Sequence, residues 1–168
     1  MTLGELQSYL HALDDLRAQV AGIIKNVPAE GLNWRPSLPA GADPTNSLAV
    51  LAVHVAGSER FWIAESIGNQ PATRDRDAEF KYVATSADEA LAKLDAISEE
   101  TRQVLGKLEP EDLAGNFMKD DHAVPVRWSI QHVIYHYALH IGHMQLTYQL
   151  WNEGKASTSP RWFNRLPK

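Results

Sequence analysis

Apolar residues return at steps of three and four along the start of the chain: Leu3, Leu6, Leu10, Leu13, Leu16, Val20, Ile23 and Val27. That spacing keeps them on one helix face. Thr2 and Glu5 have the spacing of a capping box and Pro28 is a stop, so a helix is predicted near residues 2–27. The pattern then breaks. Pro28, Pro36, Pro39 and Pro44, with Gly31 and Gly41, predict an irregular crossover over 28–46, with Trp34 and Arg35 placed to fold over something. A second helix is predicted near 46–68, with Asn46 or Ser47 as N-cap and Leu48, Leu51, Ala52, Val55, Trp62 and Ile63 as its apolar positions.

The polar stretch 69–85 reads as a second connection, with an extended piece around Phe80–Val83. A third helix is predicted near 86–108. Ser86 and Glu89 repeat the capping-box spacing, Asp88 and Glu89 suit the positive end of the helix dipole, and Leu91, Leu94, Ile97, Val104, Leu105 and Leu108 carry the periodicity to Pro110. After a loop through Gly115, Asp120 and Pro125, the fourth helix is predicted near 127–153, stopped by Gly154. The tail 154–168 has loop composition, and Trp162 and Phe163 suggest that it docks. Four long amphipathic segments in 168 residues predict an all-α chain, a four-helix bundle forming one domain over 1–168. The two long connections leave its topology open.

Composition narrows the chemistry. There is no cysteine, which removes disulfides, thiolate metal sites and cysteine nucleophiles. A formal net charge of −5 and no basic block argue against nucleic acid or an anionic membrane as partner. No apolar run approaches the roughly 20 residues of a membrane span, and the start lacks a secretory pattern, so a cytoplasmic protein is expected. A domain this size buries roughly 70% of the surface its unfolded chain exposes, and needs no metal merely to fold.

Four of the seven histidines lie between His132 and His143. On a helix, His132, His136, His140 and His143 share one stripe, and neighbours at i and i+4 are about 6 Å apart along the axis. His136 and His140 can therefore meet one ion. A third ligand must come from elsewhere, and His54, set among Leu51, Ala52, Val53 and Val55, is the natural candidate. Three histidines leave coordination positions open, the pattern of a catalytic rather than a structural metal. Spacing alone leaves the alternative standing, a helix face whose histidines are solvated or hydrogen-bonded. No H-E-x-x-H, Glu-x-x-His, G-x-G-x-x-G, P-loop or G-x-S-x-G pattern is present.

Three stretches in order carry a resemblance: Asn33-Trp34-Arg35-Pro36 followed by Asn46-Ser47-Leu48; His54-Val55-Ala56-Gly57-Ser58-Glu59-Arg60-Phe61-Trp62; and His136-Tyr137-Ala138-Leu139-His140-Ile141-Gly142-His143-Met144-Gln145. With the helix pattern, which extends the likeness over nearly the whole chain, they resemble the DinB/YfiT-like family, grouped as metal-dependent enzymes although many members have no known activity. The resemblance implies an up-down-down-up four-helix bundle and a divalent metal held by His54, His136 and His140, with zinc or nickel ahead of iron or manganese. It also implies chemistry on a small-molecule substrate, such as transfer of a low-molecular-weight thiol or hydrolysis, and pairing of the chain as a homodimer. The alternative is a non-catalytic, stress-associated bundle with a structural or vestigial metal site.

Many relatives read His-Arg-Gly-Gln where this chain has His140-Ile141-Gly142-His143, so contacts through that Arg and Gln do not carry over. His143 is then a candidate to orient a ligand or to act as an acid–base group, against the alternative of a surface or core histidine. Glu59 and His143 are the candidate catalytic residues, and Trp62, Arg127 and Trp128 the candidate pocket lining. The plainer alternatives are core aromatics for Trp62 and Trp128, and surface ion pairs for Glu59 and Arg127.

Overall fold

The computed structural model describes residues 4–158 and 161–167; Thr2 and the side chain of Trp162 lie outside the described residues. The chain is mostly helical: α1 Glu5–Ile24, α2 Ala29–Asn33, α3 Leu48–Glu59, α4 Arg76–Phe80, α5 Ala87–Leu105 and α6 Val126–Trp151. Each of the four periodic stretches forms helix. Helix α3 runs without a break into a π-helical segment, Arg60–Ile67, which periodicity did not anticipate.

Of the residues of α3, Gly57 alone escapes full burial. A helix apolar on every side belongs in the middle of a core. Accordingly α3 touches α2, α4, α5 and α6, while α1 touches α5 and α6. Ser47 is its N-cap, its Oγ accepting from the Val50 N–H at 3.3 Å. At the start of α5 the Ser86 Oγ accepts from the Glu89 N–H, but the Glu89 carboxylate turns to the N–H and hydroxyl of Thr85. The expected reciprocal box is therefore half formed. Helix α6 ends at Trp151, and the chain turns away through Glu153 and Gly154, at φ 53° and 84°, of which only the glycine adopts the left-handed region without steric cost.

Three expectations need correction. Both long connections carry short helices. The piece around Phe80–Val83 is not extended; Phe80 closes α4, which is capped by Asp75 Oδ1 accepting from the Ala78 N–H. The loop before α6 contains an antiparallel hairpin, β1 Asn116–Lys119 with β2 His122–Pro125, in the register Lys119↔His122. Asp120 and Asp121 form its turn at φ 47° and 64°, a primed-type geometry usually signalled by Asn-Gly or Asp-Gly. The tail meets α1 through Arg165, which grips Asp15 at 2.6–3.0 Å, whereas Phe163 is half exposed.

The two connections are tied together. The Asn33 side chain donates to Ala84 O and accepts from Ala84 N, and Arg35 donates to Thr45 O and Phe80 O. Across the helices, Glu5 of α1 pairs with Arg127 at the start of α6, and Asp14 of α1 pairs with Arg102 near the end of α5.

One polar cluster lies inside this core. The Glu59 carboxylate, with no exposed surface, accepts from both Nε and Nη2 of Arg17, from Thr101 Oγ1 and from Tyr137 Oη. The four residues come from α3, α1, α5 and α6. Burial opposes the charge on Arg17, but the hydrogen bonds and charge of Glu59 outweigh it and hold its pKa above the ordinary value. Removing one member of such a pair strands the other charge. Glu59→Gln is expected to cost about 3 kcal/mol or more, and Tyr137→Phe about 2 kcal/mol. Urea denaturation followed by circular dichroism measures both, and unchanged midpoints would refute a stabilising role for the cluster.

Candidate metal centre

His54 projects from the middle of α3, and His136 and His140 from successive turns of α6. Their ligating nitrogens all lie within 4.8 Å of one another. Ring centroids are 5.1 Å apart for His54–His136, 5.0 Å for His54–His140 and 4.5 Å for His136–His140. The buried face of α6 is Ile130, Val133, Tyr137, Ile141 and Met144, so the histidine stripe runs along its edge, half sheltered.

Shelter sets the charge state. Burial, then the neighbouring His140 and His54, push His136 down to about 3. Burial, then His54 and His143, push His140 down to about 4. Both rings are therefore neutral near pH 7, with a lone pair to offer. The His136 Nδ1 is buried without a hydrogen-bond partner among the described residues, which an interior polar atom rarely tolerates without a ligand or water.

The third histidine is oriented by a residue that the sequence reading missed. His54 Nδ1 lies 2.9 Å from Glu79 Oε2, and Arg74 grips the same carboxylate at 2.7 and 3.0 Å. Burial opposes ionisation of Glu79, but its bonds to His54 and Arg74 prevail and keep it below the usual carboxylate range. An ionised carboxylate accepts only, so His54 donates from Nδ1, which leaves Nε2 as its nitrogen for an ion. Carboxylates that hold histidine ligands in this way are a recurrent feature of metal sites. Glu79 reaches α3 because residue 57 is glycine: a Cβ there would overlap the Glu79 carboxylate, with Glu79 Cδ at 2.8 Å. Glu79 sits in α4, within a polar stretch, and no periodicity marks it.

The remaining candidates are spread around the cluster. His143 Nδ1 lies 3.3 Å from His140 Nδ1, at an exposed edge. On the other side His132 stacks on Trp128 (centroids 4.8 Å apart, 16°) and on His136 (5.7 Å, 26°) and bonds the Tyr135 hydroxyl. Trp62 of the π-helical segment meets Trp128 and His132 edge-on. Glu59 is not among the histidines; all its bonds lie within the buried cluster. Arg127 is at the far end of the stripe, paired with Glu5 and bonded to Leu113 O.

A sequence profile of the DinB superfamily matches residues 12–144, the greater part of the chain. The chain belongs to the DinB superfamily. No curated protein matches its sequence. Among solved structures, a conserved protein from Enterococcus faecalis superposes with a TM-score of 0.70 at 14% identity, covering 90% of this chain and 99% of that one. A DinB-like protein from Bacillus cereus ATCC 10987 superposes with a TM-score of 0.68 at 16% identity, covering 93% and 95%. At these identities the likeness is one of fold.

For this DinB-superfamily chain the residues fit a metal ion. Three imidazoles converge with their nitrogens within 4.8 Å of one another, two of them held neutral by burial, one with an orphaned buried nitrogen and one fixed by a carboxylate, a donor set that suits zinc. Glu79→Ala and Gly57→Ala are each expected to weaken metal binding about 10- to 100-fold. Competition against a chromogenic chelator measures this, and parental affinity in both would detach Glu79 from the site. Because the folded pKa values of His136 and His140 lie below the unfolded value of about 6.5, the unfolded chain takes up protons first as pH falls. Metal-free protein should then lose stability progressively from about pH 6.5 down toward pH 4. Urea midpoints at pH 7 and pH 5 check the sign.

Proposed function

We propose that the chain is a metal-dependent enzyme acting on a small molecule, with one divalent ion held by His54, His136 and His140. The observation that carries this is the convergence of three imidazoles from two rigid helices, with His54 turned by Glu79 to present Nε2. Imidazole donors favour zinc or nickel, with iron or manganese following according to availability. When bound at three protein ligands, such an ion lowers the pKa of a coordinated water or thiol and so supplies a nucleophile near neutral pH. That chemistry suits transfer of a low-molecular-weight thiol or hydrolysis.

The chain's own residues have distinct tasks. Glu79 and Arg74 fix the His54 ring. His143, exposed and in contact with His140, is placed to exchange protons with solvent at the rim. Trp62, Trp128 and His132 pack against one another beside His136 on one side. Glu59 acts at a distance, by holding α3 against α6.

We also read the four long helices as an up-down-down-up bundle. Supporting this, Glu5 and Arg127 pair at the starts of α1 and α6, whereas His54 with His136 and Trp62 with Trp128 run in opposite senses along α3 and α6. Arg60 pairs with Glu100 and Gly68 abuts Val104, so α5 runs with α3 and its continuation.

Metal analysis of untagged protein, with His140→Ala alongside, tests the proposal. Near-stoichiometric metal in the parent and its loss in the variant are expected. Azide should then shift the visible spectrum of cobalt-loaded protein, since three ligands leave a position open. Metal in neither protein, after incubation with zinc, nickel, manganese and iron, would defeat the proposal; an azide-insensitive spectrum would favour a closed, structural site.

A further inference from the structure

One turn beyond the histidines, toward the C-terminal end of α6, a recess of about 300 Å³ opens between that helix, α3 and the crossover. Its apolar wall is Pro36, Leu51, Leu146 and Leu150, and His143 stands at its edge. Leu51 is three residues before His54 on α3, and His143, three residues after His140 on α6, touches His140 at 3.3 Å, so the recess borders the histidine cluster. Among the described residues, none that lines it is Lys, Arg, Asp or Glu. That composition rejects phosphates and other strongly charged groups, which would lose water without gaining a counter-charge. The volume is at the lower end of that of small-molecule sites, which combine apolar walls with a few polar groups.

Thr45, Asn46 and Thr147 supply such groups beside His143, and Thr45 is the one left buried and unpaired. Thr45 lines the recess, and its Oγ1 is buried with no hydrogen-bond partner among the described residues. Turning that hydroxyl toward a ligand breaks no bond. The Thr45 carbonyl is meanwhile held by Arg35, which fixes the backbone at this wall. A wider recess of about 490 Å³ between α1 and the tail offers nothing comparable: His11, Asp14 and Arg102 there already bond within the protein.

We infer that this recess binds the uncharged, apolar body of the substrate, an aliphatic or aromatic group carrying one hydrogen-bonding atom for Thr45, and that the reacting end extends past His143 to the three histidines. The second half of the inference rests on the proposed metal site; the first does not.

The test separates the two. For the recess alone, metal-free full-length protein is titrated with ethanol, butanol and hexanol while the methyl resonances of Leu51, Leu146 and Leu150 are followed by NMR. Burial of each added methylene is expected to tighten binding about fourfold, the factor that corresponds to about 0.8 kcal/mol. Leu146→Glu and Leu150→Glu, on side chains more than half exposed and so safe for folding, should flatten that slope. For the link to the histidines, cobalt-loaded protein is titrated with ethanethiol, butanethiol and hexanethiol. The thiolate-to-cobalt band should appear at lower concentration as the chain lengthens.

A flat alkanol series in the parent overturns the inference, as does a slope that both glutamates leave intact. A second copy of the chain covering Leu146 and Leu150 would also overturn it: sedimentation velocity would show a dimer that Leu146→Glu dissociates, with no alkanol shifts at those methyls. A normal alkanol series with no cobalt band at any thiol length would instead refute the metal reading and the second half of the inference, while leaving the recess as a binding site.

Discussion

The Glu59 carboxylate of α3 is bonded by each of the other three long helices. It is buried completely, and each of its oxygens accepts two hydrogen bonds, from Arg17, Thr101 and Tyr137. Burying a carboxylate and a guanidinium has a large desolvation cost, which only such full pairing offsets. Apolar packing, being non-directional, tolerates small slips between helices. A carboxylate with four fixed donors does not. A shift of α3 along α6 would strand Tyr137 Oη or leave a lone pair of Glu59 unmatched, and unmatched groups in a low dielectric are costly.

That constraint reaches the histidines directly. Tyr137 follows His136, and Glu59 lies five residues beyond His54, so the bond between Tyr137 and Glu59 sets the register in which His54 faces His136 and His140. A second layer of control comes from outside the helices. Glu79 arrives on α4, Arg74 aims it, and the missing side chain at Gly57 leaves it room. The three candidate ligands thus sit on rigid elements, while the residue that orients His54 is carried by a connection. Sites built in this manner keep their geometry because each ring is held at its second nitrogen or by close packing.

The sequence made the helices and the histidine triad legible because both are periodic. Residues 54, 136 and 140 stood out through spacing and through the anomaly of an ionisable group inside Leu51–Val55. What it concealed has a different physical origin. Arg17 lies on the same face as Leu13, Leu16 and Val20, and a charge inside an apolar stripe was a signal that went unread. Its partner Glu59 drew notice as a candidate catalytic carboxylate, although the structure gives it a partner on each of the other three long helices. Glu79 left no local signal, since what matters is a tertiary meeting over twenty-five positions. The hairpin at Asn116–Pro125 escaped because its turn is Asp120-Asp121 rather than an Asn-Gly or Asp-Gly pair. The π-helical segment begins directly after Glu59 and breaks the 3.6-residue period on which the reading of residues 46–68 relied.

Below about pH 6.5, holding three histidines together is costly for the metal-free protein, because His136 and His140 are kept from their ordinary protonation. In a small metal-folded domain the ion meets that cost, and binding energy and folding energy are the same quantity. Here the core and the Glu59 cluster already fix α3 against α6. A metal bound at His54, His136 and His140 would therefore have little folding left to drive. Its coordination energy could remain in the site, available to polarise whatever occupies an open position. Here a buried carboxylate supplies the rigidity that a structural ion would otherwise provide.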